Sequence, residues 1–303
     1  MRKILIPGGT GLVGTILKKQ LSKQGFDVYF LTRKPTTEAD SFTWDPDNQR
    51  IDNECFKHSY YAIINTCGAS IASKKWTTKR KNELLNSRIK PTEYLWKLIR
   101  DKNLITEKYF NLSATGYYGN VPDPVNELDK SNSQLFITHL SKKWETTFFE
   151  NSVDGIDHGV LRLGVVLSKE GGFLTQFNKS LKFSISPYFG SGKDYLSWIH
   201  ETDLGRAIHH ILLNDEMQQI YNLTSPYPCT TKQLSRQLKE VDPSLTIMVS
   251  IPKMLIRWLF GEMREIILTN VQALPYYLQE EGFQFEYTEI DAALREVYGP
   301  RYY

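Results

Sequence analysis

Glycines stand at positions 8, 11 and 14 in the stretch Gly8-Gly9-Thr10-Gly11-Leu12-Val13-Gly14. The apolar run Lys3 to Pro7 (KILIP) precedes it, and a helical pattern follows directly. Each glycine answers a separate steric need. Gly8 permits a tight turn, Gly11 lets an anion approach the backbone, and Gly14 lets helix and strand pack closely. A helix starting at such a loop offers free N–H groups and the positive end of its dipole, which is the chemistry of pyrophosphate binding. Thr10, Leu12 and Val13 complete the cradle. A glycine pattern alone is a weak signal. Here strand, loop, helix and second strand follow in the order and at the distance that a dinucleotide site requires.

The second apolar run, Asp27 to Thr32 (DVYFLT), ends in Thr32-Arg33-Lys34. NAD sites usually present an acid there to the ribose 2′-hydroxyl. Two cations and no acid suit a 2′-phosphate instead, and arginine can grip it bidentately. The expected cofactor is therefore NADP(H). Proton-moving groups are fewer. Ser113 sits at the end of the segment Lys108 to Ala114, and Tyr117 and Tyr118 follow it at the carboxyl edge of the expected sheet, where ligands of such sheets bind. A phenol there can protonate a carbonyl, or it can shape a turn and pack. His200, in the run SWIHETD, precedes a helix that opens near Asp203, and suits either proton transfer or structural hydrogen bonding. Catalysis requires Ser113, Tyr117 and His200 to converge on the reacting end of the cofactor. Arg162 interrupts an apolar strand and needs a buried partner or an anionic substrate.

These groups need a scaffold. Tyr61 to Thr66, 108–114, Gly159 to Leu167 and Ile220 to Leu223 read as further strands, with long helices at 77–102 and 134–152. Strands alternating with helices imply parallel pairing through right-handed crossovers. The fold class is α/β: a Rossmann-type doubly wound parallel sheet with a smaller, mostly helical C-terminal lobe. Residues 1–167 and 200–224 are assigned to the dinucleotide domain, and 168–199 and 225–303 to the substrate side. The segment 251–268 reads as an amphipathic helix packed on a core, because Lys253, Arg257, Glu262 and Arg264 break its apolar run.

The 303 residues carry 37 basic and 34 acidic side chains, too balanced to suggest nucleic acid. No apolar run is long enough for a membrane span, and the short start lacks the features of a signal peptide. Cys55, Cys67 and Cys229 are widely separated, which argues against a disulfide framework or a metal site and for a reducing, cytoplasmic setting. The two long helices either pair between chains or stay solvated, so monomer and homodimer both remain open.

The sequence resembles the extended short-chain dehydrogenase/reductase superfamily, and more narrowly the epimerase family proteins that carry a C-terminal domain of unknown function. The likeness covers essentially the whole chain. Its marks are GGTGLVG (8–14), LTRKP (31–35), INTCGASI (64–71), KKWTTKRKNELLNSRI (74–89), SATGYYG (113–119), KKWE (142–145), LRLGVVLSKEGG (161–172), GSGKDYLSWIHETDLGRAI (190–208) and YNLTSP (221–226). The resemblance implies that Asn65, Thr66, Cys67 and Gly68 run beneath the adenine and ribose, although Thr66-Cys67 replaces the usual Leu-Ala. It also implies that Glu83, Arg88 and Ser113 contact the cofactor. The superfamily moves its proton with a Tyr and a Lys spaced YxxxK on one helical face. Setting Glu145 on the acid that follows that pair puts Ile137 at the tyrosine and Ser141 at the lysine. The implied function is an NADP(H)-dependent oxidoreductase or epimerase-like activity on a small polar substrate. The alternative is a non-catalytic NADP-binding sensor or partner-binding protein.

Overall fold

The computed structural model describes residues 1–34, 38–241 and 247–299. Pro35 of the LTRKP block, and residues 242–246 and 300–303 of the expected C-terminal lobe, lie outside the described residues.

Eight strands form the main sheet: β1 (Lys3–Pro7), β2 (Asp27–Thr32), β3 (Ser41–Asp45), β4 (Arg50–Ile51), β5 (Ser59–Asn65), β6 (Ile105–Ala114), β8 (Asp157–Leu163) and β13 (Ile220–Leu223). Their spatial order is β13-β8-β6-β5-β1-β2-β3-β4. The chain starts in the middle of the sheet, winds out through β2 and β3, then crosses back to β5 and winds the other way. All neighbours are parallel except β3 and β4. The fold is thus a Rossmann-type doubly wound sheet, and its direction reverses between β1 and β5, which is where such sheets open a ligand crevice.

Continuous apolar runs suit strands buried on both faces. Ile4 and Ile6 enter one core, beside α1 (Leu12–Lys23) and α5 (Glu201–Leu213). Leu5, between them, enters the other, beside α2 (Thr78–Arg100) and α3 (Phe136–Glu150). In α1, Ile16, Leu17 and Leu21 recur at helical spacing, and the helix stops before Gly25, whose φ is +86°.

Two features depart from the expected pattern. The run Gly159–Leu167 is two strands, β8 and β9 (Val165–Leu167), broken at Gly164. A Cβ on Gly164 would lie 2.9 Å from the Ser197 carbonyl oxygen, so the chain bends there and β9 pairs with β12 (Trp198–His200). Beyond β2, β3 and β4 extend the sheet unannounced, with Phe42 and Trp44 alternating inward.

The remaining strands are short pairs: β7 (Pro124–Val125) with β16 (Gln272–Ala273), β10 (Ile185–Phe189) with β15 (Ile247–Ile251), and β11 (Tyr195–Leu196) with β14 (Cys229–Thr230). A separate core lies between α4 (Phe173–Leu181), α6 (Thr231–Val241) and α10 (Ile290–Tyr298), filled by Leu174, Phe177, Leu234, Leu238 and Leu294. The segment 251–268 is not one core-packed helix. It divides into α7 (Lys253–Phe260), a 3₁₀ turn at Gly261–Arg264 and α8 (Glu265–Leu268). The short α9 (Tyr276–Glu280) follows.

Candidate functional site

The crevice at the switch point is a cleft of about 220 Å³. Gly8, Thr10, Gly11, Thr32, Arg33, Thr66, Cys67 and Gly68 all line it. The glycine loop is shaped by contacts that only glycine allows. Gly8 has φ +81°, and a Cβ there would lie 2.9 Å from Thr66 Oγ1 and 3.0 Å from the Cys67 nitrogen. A Cβ on Gly14 would meet Gly9 Cα at 2.5 Å, which seats helix on strand. Gly11 caps α1 without any side-chain hydrogen bond, and the first turn carries no acid. The N–H groups of Leu12, Val13 and Gly14 therefore have no helical acceptor and face the cleft end of the helix dipole.

The rim is cationic. Thr32 Oγ1 accepts the Lys34 N–H at 3.2 Å and turns the chain at the strand end. Arg33 and Lys34 are exposed and form no ion pair among the described residues. Under the cleft, Asn65 donates to Asn111 Oδ1 at 2.8 Å and accepts the Cys67 N–H, which fixes the turn after β5. Burial pushes the Cys67 thiol up to about 12, against the pull of Arg33 and Arg88, so it stays neutral and serves as wall rather than nucleophile.

The two α2 residues separate. Arg88 is half-buried beneath Gly68, where a glycine Cβ would lie 2.9 Å from its Cζ. It donates to the carbonyls of Leu84 and Ala69 and finds no carboxylate among the described residues; burial, with Arg80 nearby, lowers it to about 10. Glu83 stands off the cleft, paired with Arg80 at 2.7 Å. Arg80 ties down the loop after Gly68 by bonding the Ser70 carbonyl and Ser73 Oγ.

The expected proton-transfer groups do not converge. Ser113 is buried, and its hydroxyl donates to Glu145 Oε1 at 2.6 Å. That proton is committed, so Ser113 retains only lone pairs with which to orient a ligand. Arg162, 2% exposed, grips the same carboxylate through Nε at 3.1 Å and Nη2 at 2.8 Å. Its Nη1 donates to the Tyr118 hydroxyl at 3.0 Å, which donates to Asn222 Oδ1 at 2.9 Å. Burial opposes the charge on Arg162, but the Glu145 carboxylate outweighs it and keeps the guanidinium protonated. Tyr117 stacks its ring on that guanidinium at 3.4 Å and, among the described residues, makes no hydroxyl hydrogen bond.

His200 is elsewhere. It is fully buried, caps α5 by accepting the Thr202 N–H on Nδ1, and meets Glu296 at 2.9 Å through Nε2. Both ring nitrogens have structural partners, which leaves neither free to face a ligand. Asp203 likewise holds the chain, accepting the N–H groups of Glu286 and Tyr287.

On α3, Ile137 and Ser141 are both buried. Ile137 packs with Trp76, Leu84, Leu140 and Met263, and its N–H donates to Glu265 Oε2. Ile137 thus sits in an apolar cluster closed by the 260–266 segment. Tyr117 alone among the three sequence candidates keeps a free donor.

Sequence reasoning missed the outer wall of the cleft. Trp44 in β3 and Pro46 and Asp47 after it, together with Asn86, Ser87 and Pro91 on α2, also line it. The alternation in Ser41–Asp45 was the signal that could have placed the first group. It also missed Glu127, buried between Asn222 and Tyr276, whose N–H groups donate to it at 2.8 and 3.1 Å.

The comparisons agree with this geometry. The family model described as the NAD dependent epimerase/dehydratase family matches residues 4–224, and one for a domain of unknown function matches 251–297. An epimerase family protein of Mycobacterium bovis is 31% identical over 293 residues, covering 96% of each chain. One from Staphylococcus aureus is 31% identical over 314 residues, covering 98% of this chain and 99% of the relative. The crystal structure of a human epimerase family protein with NADPH superposes with a TM-score of 0.88 at 25% identity, covering 98% of this chain and 99% of that one. With a glycine cradle at the switch point, a doubly wound sheet around it and a family match spanning both, this chain belongs to the NAD-dependent epimerase/dehydratase family.

Proposed function

We propose that the chain binds NADP(H) in the switch-point cleft and acts as an oxidoreductase or epimerase-like enzyme on a small polar substrate. The observation that carries the reading is the uncapped N-terminus of α1 facing a cleft lined by Arg33, which has no acid paired to it among the described residues, while the cleft's Asp47 is held by Lys90. The residues fit the group: Gly8 and Gly11 leave room that a Cβ would fill, and the free N–H groups of α1 await an anion. The human relative solved with NADPH supports the choice of phosphate form. When bound, the nicotinamide supplies hydride transfer. This chain's part is to hold the pyrophosphate on α1, grip the 2′-phosphate with Arg33, and present the Tyr117 hydroxyl as proton donor.

Titration with NADPH and NADH, read by nicotinamide fluorescence, tests the binding. NADPH should bind well ahead of NADH, and Arg33→Ala should erase a preference of roughly ten- to a hundredfold, the range of a charge-assisted phosphate contact. Equal binding of both forms would remove the NADP assignment, and binding of neither would remove the reading.

One observation favours a second reading, a non-catalytic NADP sensor: Ile137, which the resemblance aligns with the superfamily's tyrosine, packs with Met263, and Ser141, aligned with its lysine, is buried. A carbonyl-substrate screen following NADPH oxidation separates the two. An enzyme yields turnover that Tyr117→Phe lowers at least a hundredfold with cofactor affinity unchanged. A sensor binds NADPH and oxidises none.

A further inference from the structure

Helix α7 turns the wrong side outward. Met254 is 81% exposed, Trp258 78%, Leu255 44% and Leu259 43%, and their spacing puts them on one face. Only Ile256 is fully buried on the other side. A contiguous apolar face of this kind marks an interaction surface. The charges on the helix itself have one sign, and the acids beside it, Asp194 and Glu262, are paired with Lys253 and Lys81. α7 contains Lys253 and Arg257 and no acid, and β15 before it has no acid either. Lys253 is paired with Asp194 at 2.6 Å. Arg257 has no ion pair among the described residues, and Arg264 bonds only the Gly261 carbonyl.

We propose that α7 is a peripheral membrane contact. Met254 and Trp258 enter the headgroup boundary of an anionic bilayer, while Arg257 and Arg264 bind lipid phosphates. A bilayer accepts an apolar face without shape complementarity, tryptophan favours its interface, and anionic headgroups satisfy the unpaired cations. A second copy of the chain fits less well. A two-fold contact centred on one helix would set Arg257 against its own symmetry mate, and four side chains fall short of the roughly 800 Å² per partner of a standard interface. The contact lies on the surface: no helix of the described residues is long and apolar enough to cross a membrane. One short helix and a few cations make it reversible. It stands independently of the cofactor reading.

The chain supplies its own reporter. Trp44, Trp76, Trp96, Trp144 and Trp198 are buried, so Trp258 is the one tryptophan that solvent reaches. The full chain is titrated with phosphatidylcholine vesicles, with and without phosphatidylglycerol, following emission wavelength, acrylamide quenching and co-sedimentation. The expected result is a blue shift and protection with phosphatidylglycerol only, reversed by high salt. Arg257→Glu should weaken partitioning roughly tenfold. Met254→Ser/Trp258→Ser should abolish sedimentation while the thermal midpoint stays unchanged. Unaltered emission with anionic vesicles, equal binding to both vesicle types, or sedimentation of the double variant would each overturn the proposal. So would a lipid-free dimer that shields Trp258.

Discussion

Replacing Glu145 by Gln tests whether the buried Arg162 depends on one carboxylate. The two side chains are 2% and 6% exposed, so the guanidinium has almost no water to fall back on. The carboxylate accepts from Arg162 Nε at 3.1 Å, Arg162 Nη2 at 2.8 Å and Ser113 Oγ at 2.6 Å. A glutamine keeps one acceptor oxygen but turns an NH₂ donor toward Nη2, itself a donor, and removes the neutralising charge. Leaving a buried charge uncompensated costs about 3–5 kcal/mol. The Tyr118 hydroxyl and the Tyr117 ring still touch Arg162, which places the expected loss near the lower end. Urea unfolding at neutral pH measures it, with an unchanged m-value showing that the folded state is intact. The double variant Glu145→Leu/Arg162→Met should recover most of the loss, because no charge is then left alone. A loss below about 1 kcal/mol for Glu145→Gln would refute the reasoning, since that is the value of an exposed pair. So would a double variant no more stable than the single one.

Gly14→Ala places a Cβ 2.5 Å from Gly9 Cα, so the loop must shift. NADPH binding should fall sharply for a stability loss of about 1–3 kcal/mol, by calorimetry and denaturation respectively. Gly164→Ala should cost a similar amount, because its Cβ meets the Ser197 carbonyl at 2.9 Å. Glu127 gives a pH signature. Burial raises its carboxyl to about 7 from an ordinary value of 4.5, against the backbone N–H bonds that lower it. A folded pKa above the unfolded one means the stability is fully present below about 4.5 and is lost as pH rises through about 7, by up to about 3 kcal/mol in all. Urea midpoints across that window should fall with pH and flatten in Glu127→Gln; a midpoint that climbs through it would contradict this.

The phosphate cradle was legible because it is local. Gly8, Gly11 and Gly14 meet steric demands set by residues a few positions away, and Lys3–Pro7 and Asp27–Thr32 carry their burial as unbroken apolar runs. The doubly wound order follows from alternating elements and the handedness of crossovers. β3 and β4 were not legible, because Ser41–Asp45 is short and polar at every other position.

The chain alone therefore determined the central strands of the sheet, the anion-binding loop and the cationic strand end. Tertiary structure decided what became of the polar residues. It drew Arg162 onto Glu145, 17 positions away, and committed the Ser113 proton to the same carboxylate. It spent His200 on a helix cap and on Glu296, 96 positions away. It also covered Ile137 with Met263 while leaving Trp258 in solvent. The reason is physical: a hydroxyl, an imidazole or a guanidinium reacts, binds or merely holds according to which partner reaches it first, and those partners are set by contacts distant in sequence.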